Sequence, residues 1–282
     1  MADDDFDFST GFAEVVQEEF IVPKLIFIIP YRDREQQQRF FTMQMARVLE
    51  DYDKKDYMYI FAHQKDDRDF NRGALKNLGF LYAKSLYPND YKTITIVFND
   101  IDTMPYSKGF LKYETVPGVV KHFYGYHFTL GGIVSITGGD FENINGFPCY
   151  WAWGYEDNAL NNRVTRANIK IDRSQFYPIL DTNILQLKDG ITRIVNRGEF
   201  DKYVEEAKSN NHIDGLKTLK NIEYSFNKET SFLDITKFDT LNPPNSNLNK
   251  NHDMRDGNVP FLRQRQQKRR GGSMNMVFGV KR

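Results

Sequence analysis

The chain predicts an open α/β sheet, mostly parallel and flanked by helices, with extensions at both ends that carry no core. Two observations predict it. Short β-branched runs alternate with longer stretches of helical periodicity, the pattern of parallel strands joined by crossovers. The ends of the chain also depart from this pattern in charge and composition. Residues 1–22 form an acidic N-terminal extension, with Asp3, Asp4, Asp5, Asp7, Glu14, Glu18 and Glu19 and no basic residue through position 20. Residues 23–230 are read as one α/β domain. Residues 231–282 are read as an Asn/Pro-rich and then basic tail, poorly ordered and with no core beyond about residue 232. The tail carries Arg263, Arg265, Lys268, Arg269, Arg270, Lys281 and Arg282.

The elements follow in order. Lys24–Ile29 is a β-branched run stopped by Pro30 and reads as a buried strand. Phe41, Met45, Val48, Leu49 and Tyr52 share one helical face over residues 34–52. Tyr57–Ala62 is a second strand. Leu75, Leu78, Leu81, Tyr82 and Leu86 mark a helix that ends before Pro88. Thr93–Phe98 is a third strand, running into Asn99-Asp100-Ile101-Asp102. Gly131–Ile136 reads as a strand, Glu156–Arg166 as a helix with carboxylates in its first turn, and Glu199–Ala207 as a surface helix. Residues 216–226 could close the fold.

Composition excludes several classes. Formal charges balance at 38 acidic and 38 basic residues. Cys149 is the only cysteine, so an intrachain disulfide is impossible, which suits a reducing compartment. No run reaches the roughly 18 apolar residues of a membrane helix, and the N-terminus lacks signal-peptide order. The expectation is a soluble, cytoplasmic protein without a transmembrane anchor. The histidines are scattered and no Cys-x-x-Cys exists, so a zinc site is not expected. No Gly-x-Ser-x-Gly, P-loop or Gly-x-Gly-x-x-Gly is present. The basic tail could rest on an anionic surface. A nucleic-acid role is not expected, because the tail lacks interleaved aromatics and the main domain lacks a basic stripe.

In an open α/β sheet, ligands bind beyond the carboxyl ends of the strands, and polar clusters follow all three leading strands. Arg32 and Arg34 follow the first, with guanidinium groups suited to phosphate or to a surface ion pair. Phe70-Asn71-Arg72-Gly73 follows the second, offering a ring for a base, a cation for phosphate and a glycine at a helix start. Asp100 and Asp102 follow the third. Asp-x-Asp also occurs at Asp3, Asp5, Asp51 and Asp67, but only Asp100/Asp102 follows a strongly apolar strand and precedes a proline. Hard oxygens there suit a divalent cation that offsets a diphosphate.

Trp151 and Trp153, both tryptophans of the chain, lie in Gly146-Phe147-Pro148-Cys149-Tyr150-Trp151-Ala152-Trp153-Gly154-Tyr155-Glu156-Asp157-Asn158. This reads either as a sugar-stacking pair beside an acid and a base or as a buried Trp ahead of an acid-capped helix. With the Asp100-Ile101-Asp102 turn, it points to transfer of a sugar from a nucleotide-sugar donor.

Taken in order, Ile28–Arg34, Phe70–Phe80, Phe98–Pro105, Gly131-Gly132, Ile144–Pro148 and Trp151–Asp157 resemble the β-1,4-galactosyltransferase family, glycosyltransferase family 7. Asp214–Leu219 extends the match to residues 24–226. The resemblance implies a GT-A fold and an inverting, Mn²⁺-dependent transfer from a UDP-sugar to a glycan acceptor, with Mg²⁺ as an alternative metal. It implies that Arg32, Arg34, Phe70, Arg72 and Asp100 serve the donor and that Asp102 ligates the metal. Trp153 and Gly154 would form a loop closing over the donor. Tyr126, Trp153, Glu156 and Asn158 would face the acceptor, with Asp157 as catalytic base.

Departures from the family accompany the match. Where the family completes its metal site with a histidine, residues 181–188 contain none, leaving Asp181 or Gln186 as substitutes. Thr129-Leu130 stands where the family has an aromatic pair, which implies a larger donor pocket open to N-acetylgalactosamine. Asn158 replaces an acidic residue. Family members are usually Golgi-anchored and disulfide-bonded; without either device a cytosolic setting is expected, such as a microbe or, if viral, host cytoplasm or virion. The alternative reading is a non-catalytic UDP-sugar or glycan binder that has lost its full metal site.

Overall fold

The computed structural model describes residues 21–261, apart from 189, 210, 211 and 258. The acidic residues 1–20 and the basic residues 263–282 therefore lie outside the described residues. The leading half runs β1 (Leu25–Tyr31), α1 (Glu35–Val48), β2 (Tyr57–Gln64), α2 (Arg72–Leu86) and β3 (Thr95–Asn99). β1 pairs in parallel with both β2 and β3, Ile28 lying opposite Ile60 and Phe98. Strand alternation then sorts the side chains. Ile26, Ile28, Ile60, Ala62, Ile96 and Phe98 face α2, while Phe27, Ile29, Phe61 and Val97 belong to the core that includes Phe41 and Met45 of α1. The carboxyl ends of the three strands share one edge, so segments 32–34, 65–71 and 100–102 meet there.

The chain continues through β4 (Thr103–Pro105), β5 (Val119–Gly125), β6 (Ile133–Thr137), α3 (Gly138–Asn143) and α4 (Glu156–Arg166). β6 pairs antiparallel with β3 and with β5, so the sheet is mixed. β5 is a buried strand with no counterpart in the sequence reading, because Lys121 and His122 interrupt its apolar run. β7 (Lys170–Asp172) and β8 (Tyr177–Pro178) pair with β5, and β9 (Ile184–Gln186) pairs with β4. β10 (Thr192–Asn196) leads into α5 (Arg197–Ser209).

The C-terminal expectation needs correction. After β11 (Lys220–Asn227), β12 (Phe232–Asp239) enters the main sheet parallel to β2 and buries Leu233, Ile235 and Phe238 completely. Then β13 (Asn249–Asp253) pairs with β10. The core thus extends past residue 232. Asp234, Thr236 and Lys237 break up the apolar positions of β12, and the Asn/Pro-rich flank conceals the strand further. Among the described residues no helix is long and apolar enough to cross a membrane.

Candidate active site

The shared strand edge opens into a cleft of about 990 Å³ whose wall includes Arg32, Arg34, Phe70, Arg72, Asp100 and Asp102. Helix α2 sets two of these. Asn71 caps it, its side chain accepting from Ala74 N at 2.9 Å, so Phe70 and Arg72 flank a fixed helix start. Arg32 donates to the carbonyls of Asp66 (3.2 Å) and Arg68 (2.6 Å), and its guanidinium lies 5.3 Å from the Phe70 ring centroid. Arg32 therefore holds the 66–68 loop as well as lining the cleft. His63, also in the wall, is braced by Asp234 of β12 at 2.8 Å.

A second cleft of about 200 Å³ adjoins the first, lined by Tyr126, Gly154, Glu156, Asp157, Asn158 and Gln186. The two clefts share Arg72, Asp100, Asp102, Trp153 and Arg193. Arg72 spans the junction, its Nη1 3.3 Å from Asp100 and its Nε 3.8 Å from Glu156. The surrounding carboxylates outweigh burial and raise its pKa, so it stays charged.

Asp157 sits in the first turn of α4, entered through Tyr155 in a left-handed conformation (φ 74°). Its carboxylate lies against Gly131, where a Cβ would come within 2.1 Å of Asp157 Oδ2. Only glycine leaves that space. Asp157 Oδ1 also meets the buried Lys76 Nζ at 3.2 Å, and Lys76 lies 4.5 Å from the Phe147 ring centroid. Desolvation pushes the Asp157 carboxyl up to about 6; Lys76 opposes this rise, while Glu156 and Asp100 add to it.

The two tryptophans part company. Trp151 is a core residue, stacked on Phe238 at 5.7 Å, under the Arg68 guanidinium, with its Nε1 donating to Asn242 O at 3.1 Å. The expected stacking pair is thus one structural indole and one cleft indole. Trp153 lines both clefts, and its backbone N donates to Ile194 O of β10 at 2.8 Å. The β10–β13 ribbon in turn reaches the other side of the first cleft, where Asn249 Nδ2 donates to Asp69 at 2.8 Å.

Whether these residues fit a divalent cation can be judged from the side chains. Asp100 Oδ1 is buried without a hydrogen-bond partner, and Asp102 shares both clefts. No group of three His, Cys, Asp or Glu that could hold a metal occurs among the described residues. Of the two substitutes, Asp181 is spent on its own turn, accepting from Asn183 N at 2.9 Å, and lines neither cleft. Gln186 is opposite Thr103 in the β4–β9 pair and lines the second cleft, its Oε1 accepting from Tyr124 at 2.8 Å. The set fits a hard cation that takes its remaining oxygens from a bound diphosphate.

The twelve residues that the resemblance assigns to donor, acceptor, metal and catalysis thus line one cleft or both, while Trp151 and Asp181 line neither. Sequence reasoning missed Lys76, Arg193 and the His63–Asp234 pair. The only signal for Lys76 was a lysine among the apolar positions of the Phe70–Phe80 motif. Arg193 and Asp234 reach the site through β10 and β12, which the sequence reading did not foresee.

Known proteins share sequence and fold with this chain. Residues 20–112 match the family model for the N-terminal region of glycosyl transferase group 7, and residues 119–185 match one described as the N-terminal domain of galactosyltransferase. A xylosylprotein 4-β-galactosyltransferase of Caenorhabditis elegans is 31% identical over 159 residues, 53% of this chain and 53% of the relative. The β-1,4-galactosyltransferase 6 of Homo sapiens is 27% identical over 205 residues, 70% of this chain and 52% of the relative. The chain therefore spans about half the length of the curated relatives it matches. The catalytic domain of Drosophila β-1,4-galactosyltransferase 7, solved with xylobiose, superposes with a TM-score of 0.60 at 20% identity, covering 80% of this chain and 97% of that one. That likeness speaks for the fold, which is GT-A. With both family models matched in chain order, the chain belongs to glycosyltransferase family 7.

Proposed function

We propose that the chain is an inverting glycosyltransferase that moves a galactose-type hexose or N-acetylhexosamine from a UDP-sugar to a sugar hydroxyl. The observation that carries this reading is the junction of the two clefts, with Asp157 on the acceptor side. UDP would occupy the larger cleft, with Phe70 against the uracil, and Arg32, Arg34 and Arg72 serving the ribose and phosphates. Trp153 would close over the donor, with Gly154 giving the loop its freedom. Glu156, Tyr126 and Asn158 would orient the acceptor in the smaller cleft. Thr129, small and lining the smaller cleft, would leave room for an N-acetyl group on a donor sugar that reaches past the junction.

In the reaction the ionised Asp157 takes the acceptor hydroxyl proton as that oxygen attacks the anomeric carbon. The bond from that carbon to the UDP oxygen breaks with inversion, and Arg72 faces the departing negative charge. Lys76 keeps Asp157 ionised in its desolvated setting. Asp102, with Asp100 beside it and Gln186 nearby, would hold Mn²⁺, or Mg²⁺ by the same hard-oxygen chemistry, which neutralises charge on the diphosphate. A solved Drosophila relative, in a variant form, was obtained with manganese, UDP-Gal and xylobiose. The galactosyltransferase relatives favour turnover over the non-catalytic alternative. A cytoplasmic setting accords with the lone buried thiol of Cys149, and fractionation of the expressing cells tests it.

The deciding experiment assays transfer and UDP release from UDP-galactose, UDP-glucose and their N-acetyl forms, with Mn²⁺ or EDTA. Asp157→Asn should lose about 100-fold or more of the rate while still binding UDP by calorimetry. Retained turnover in that variant would remove Asp157 as base, and UDP uptake without turnover in the native chain would revive the binder.

A further inference from the structure

His63 and Asp234 form a pair in the wall of the larger cleft that the chemistry of transfer leaves unused. They are direct partners in the parallel β2–β12 pairing, so both side chains stand on one face of the sheet. His63 Nδ1 meets Asp234 Oδ1 at 2.8 Å, and Lys65 Nζ lies 3.9 Å from the other carboxylate oxygen. Two rings hold the imidazole edge-on: Tyr31 at 4.9 Å and 84°, and Phe232 at 5.6 Å and 74°.

The pair stands at the nucleoside end of the cleft. Arg72, Asp102 and Trp153 line both clefts and mark the junction, whereas His63 and Phe70 line the larger cleft alone. Phe70 is the ring set against the base in the assignment above. Neighbouring polar side chains of that end are already engaged. The Gln64 amide donates to Asp66 Oδ1 at 2.8 Å and to Asp69 O at 3.0 Å, and it accepts from Asn71 N at 2.9 Å. Arg32 holds two backbone carbonyls. Among the described residues, none hydrogen-bonds His63 Nε2.

The carboxylate sets the tautomer. An ionised Asp234 only accepts, so Nδ1 carries the ring proton and donates to it, and the neutral imidazole keeps a lone pair on Nε2. Burial lowers the His63 pKa below its ordinary value against the pull of Asp234 and Asp33, and Lys65 adds to the lowering, so the ring is neutral at pH 7. A base edge that meets Nε2 must therefore offer a proton. Uracil carries an N–H at ring position 3, where cytosine carries a lone pair. We infer that His63, with its tautomer set by Asp234, accepts from the N3–H of uracil and makes the donor cleft select uridine over cytidine diphosphates. His63 touches the base in this reading, and Asp234 is a positioning residue that acts through it.

This inference rests on the placement of UDP in the larger cleft, and its test separates the two. Calorimetry at neutral pH with Mn²⁺ present would compare UDP with CDP, whose phosphates and ribose are the same. The native protein should bind UDP about tenfold or more tightly, the scale of one hydrogen bond exchanged for two opposed lone pairs. His63→Gln should bring that ratio close to one, because an amide can turn either its oxygen to uracil or its nitrogen to cytosine. Asp234→Asn should also lower the ratio, about threefold or more, because a carboxamide can donate to Nδ1 as well as accept from it. Melting of both variants checks the fold, and a merely structural pair would weaken UDP and CDP together and leave the ratio unchanged. A native ratio near one, or a native-like ratio in either variant, overturns the pair as reader of the base. Absence of UDP binding in the native protein is a separate readout, and it would instead overturn the donor assignment itself.

Discussion

Replacing Lys76 with Met removes the cation that ion-pairs with the proposed base while keeping an unbranched chain against Phe147. In the native protein Lys76 Nζ stands 3.2 Å from Asp157 Oδ1 in a buried setting, and desolvation pushes the Asp157 carboxyl up to about 6. An opposite charge at this range depresses a carboxylate by about 1–3 units, so its loss should carry Asp157 to about 7–9. The sign follows directly. The base works ionised, so native activity falls as pH drops through about 6, and in Lys76→Met the fall begins at higher pH. At pH 7 the ionised fraction would drop from about nine-tenths to between about a half and a hundredth, at about 1.4 kcal/mol per unit. The expected kcat/KM at pH 7 is therefore about 2- to 100-fold lower, recovering towards pH 9–10. The assay is a pH profile of kcat/KM from pH 5 to 10 for both proteins. An acid limb that stays where it was, or a loss equal at every pH, would refute the assignment of Lys76 as the group that keeps Asp157 ionised.

Three further outcomes follow from the geometry. Gly131→Ala places a Cβ 2.1 Å from Asp157 Oδ2, so kcat should fall about tenfold or more while the calorimetric Kd for UDP moves little. Arg32→Ala should weaken UDP binding about tenfold, and Arg32→Lys should restore little of it, because an ammonium cannot both bridge two carbonyls and lie over Phe70. A chain ending at residue 230 should fail to fold. It loses Leu233, Ile235 and Phe238, each fully buried and contributing about 1.5–3 kcal/mol, a sum comparable to the roughly 5–15 kcal/mol of a whole domain.

Much of the site was legible because its residues follow local signals. The runs at Leu25–Tyr31, Tyr57–Gln64 and Thr95–Asn99 are apolar and β-branched, so their ends, and the polar clusters beyond them, could be located from one segment at a time. The acidic first turn of α4 was legible for the same reason. Lys76 was not, since a lysine in an amphipathic helix reads as solvated until the Phe147 ring and the Asp157 carboxylate meet its buried ammonium. β12 was hidden by its charged outward positions and by the Asn/Pro-rich segment that follows it.

The segment from Trp151 to Asp157 marks the boundary between the two kinds of knowledge. Its order alone determined that an indole, a glycine and two carboxylates would arrive together near a helix start, because spacing along a chain is a covalent fact. Which indole is buried was decided by Phe238 and Arg68, which reach Trp151 from other parts of the chain and leave Trp153 to the clefts. The Asp157 carboxyl likewise owes its raised pKa to desolvation and to the nearby charges of Glu156 and Asp100, against the opposing pull of Lys76 and Arg72. Residue types are local, but solvent exclusion and electric field are sums over neighbours distant in sequence, and only the folded chain assembles those neighbours.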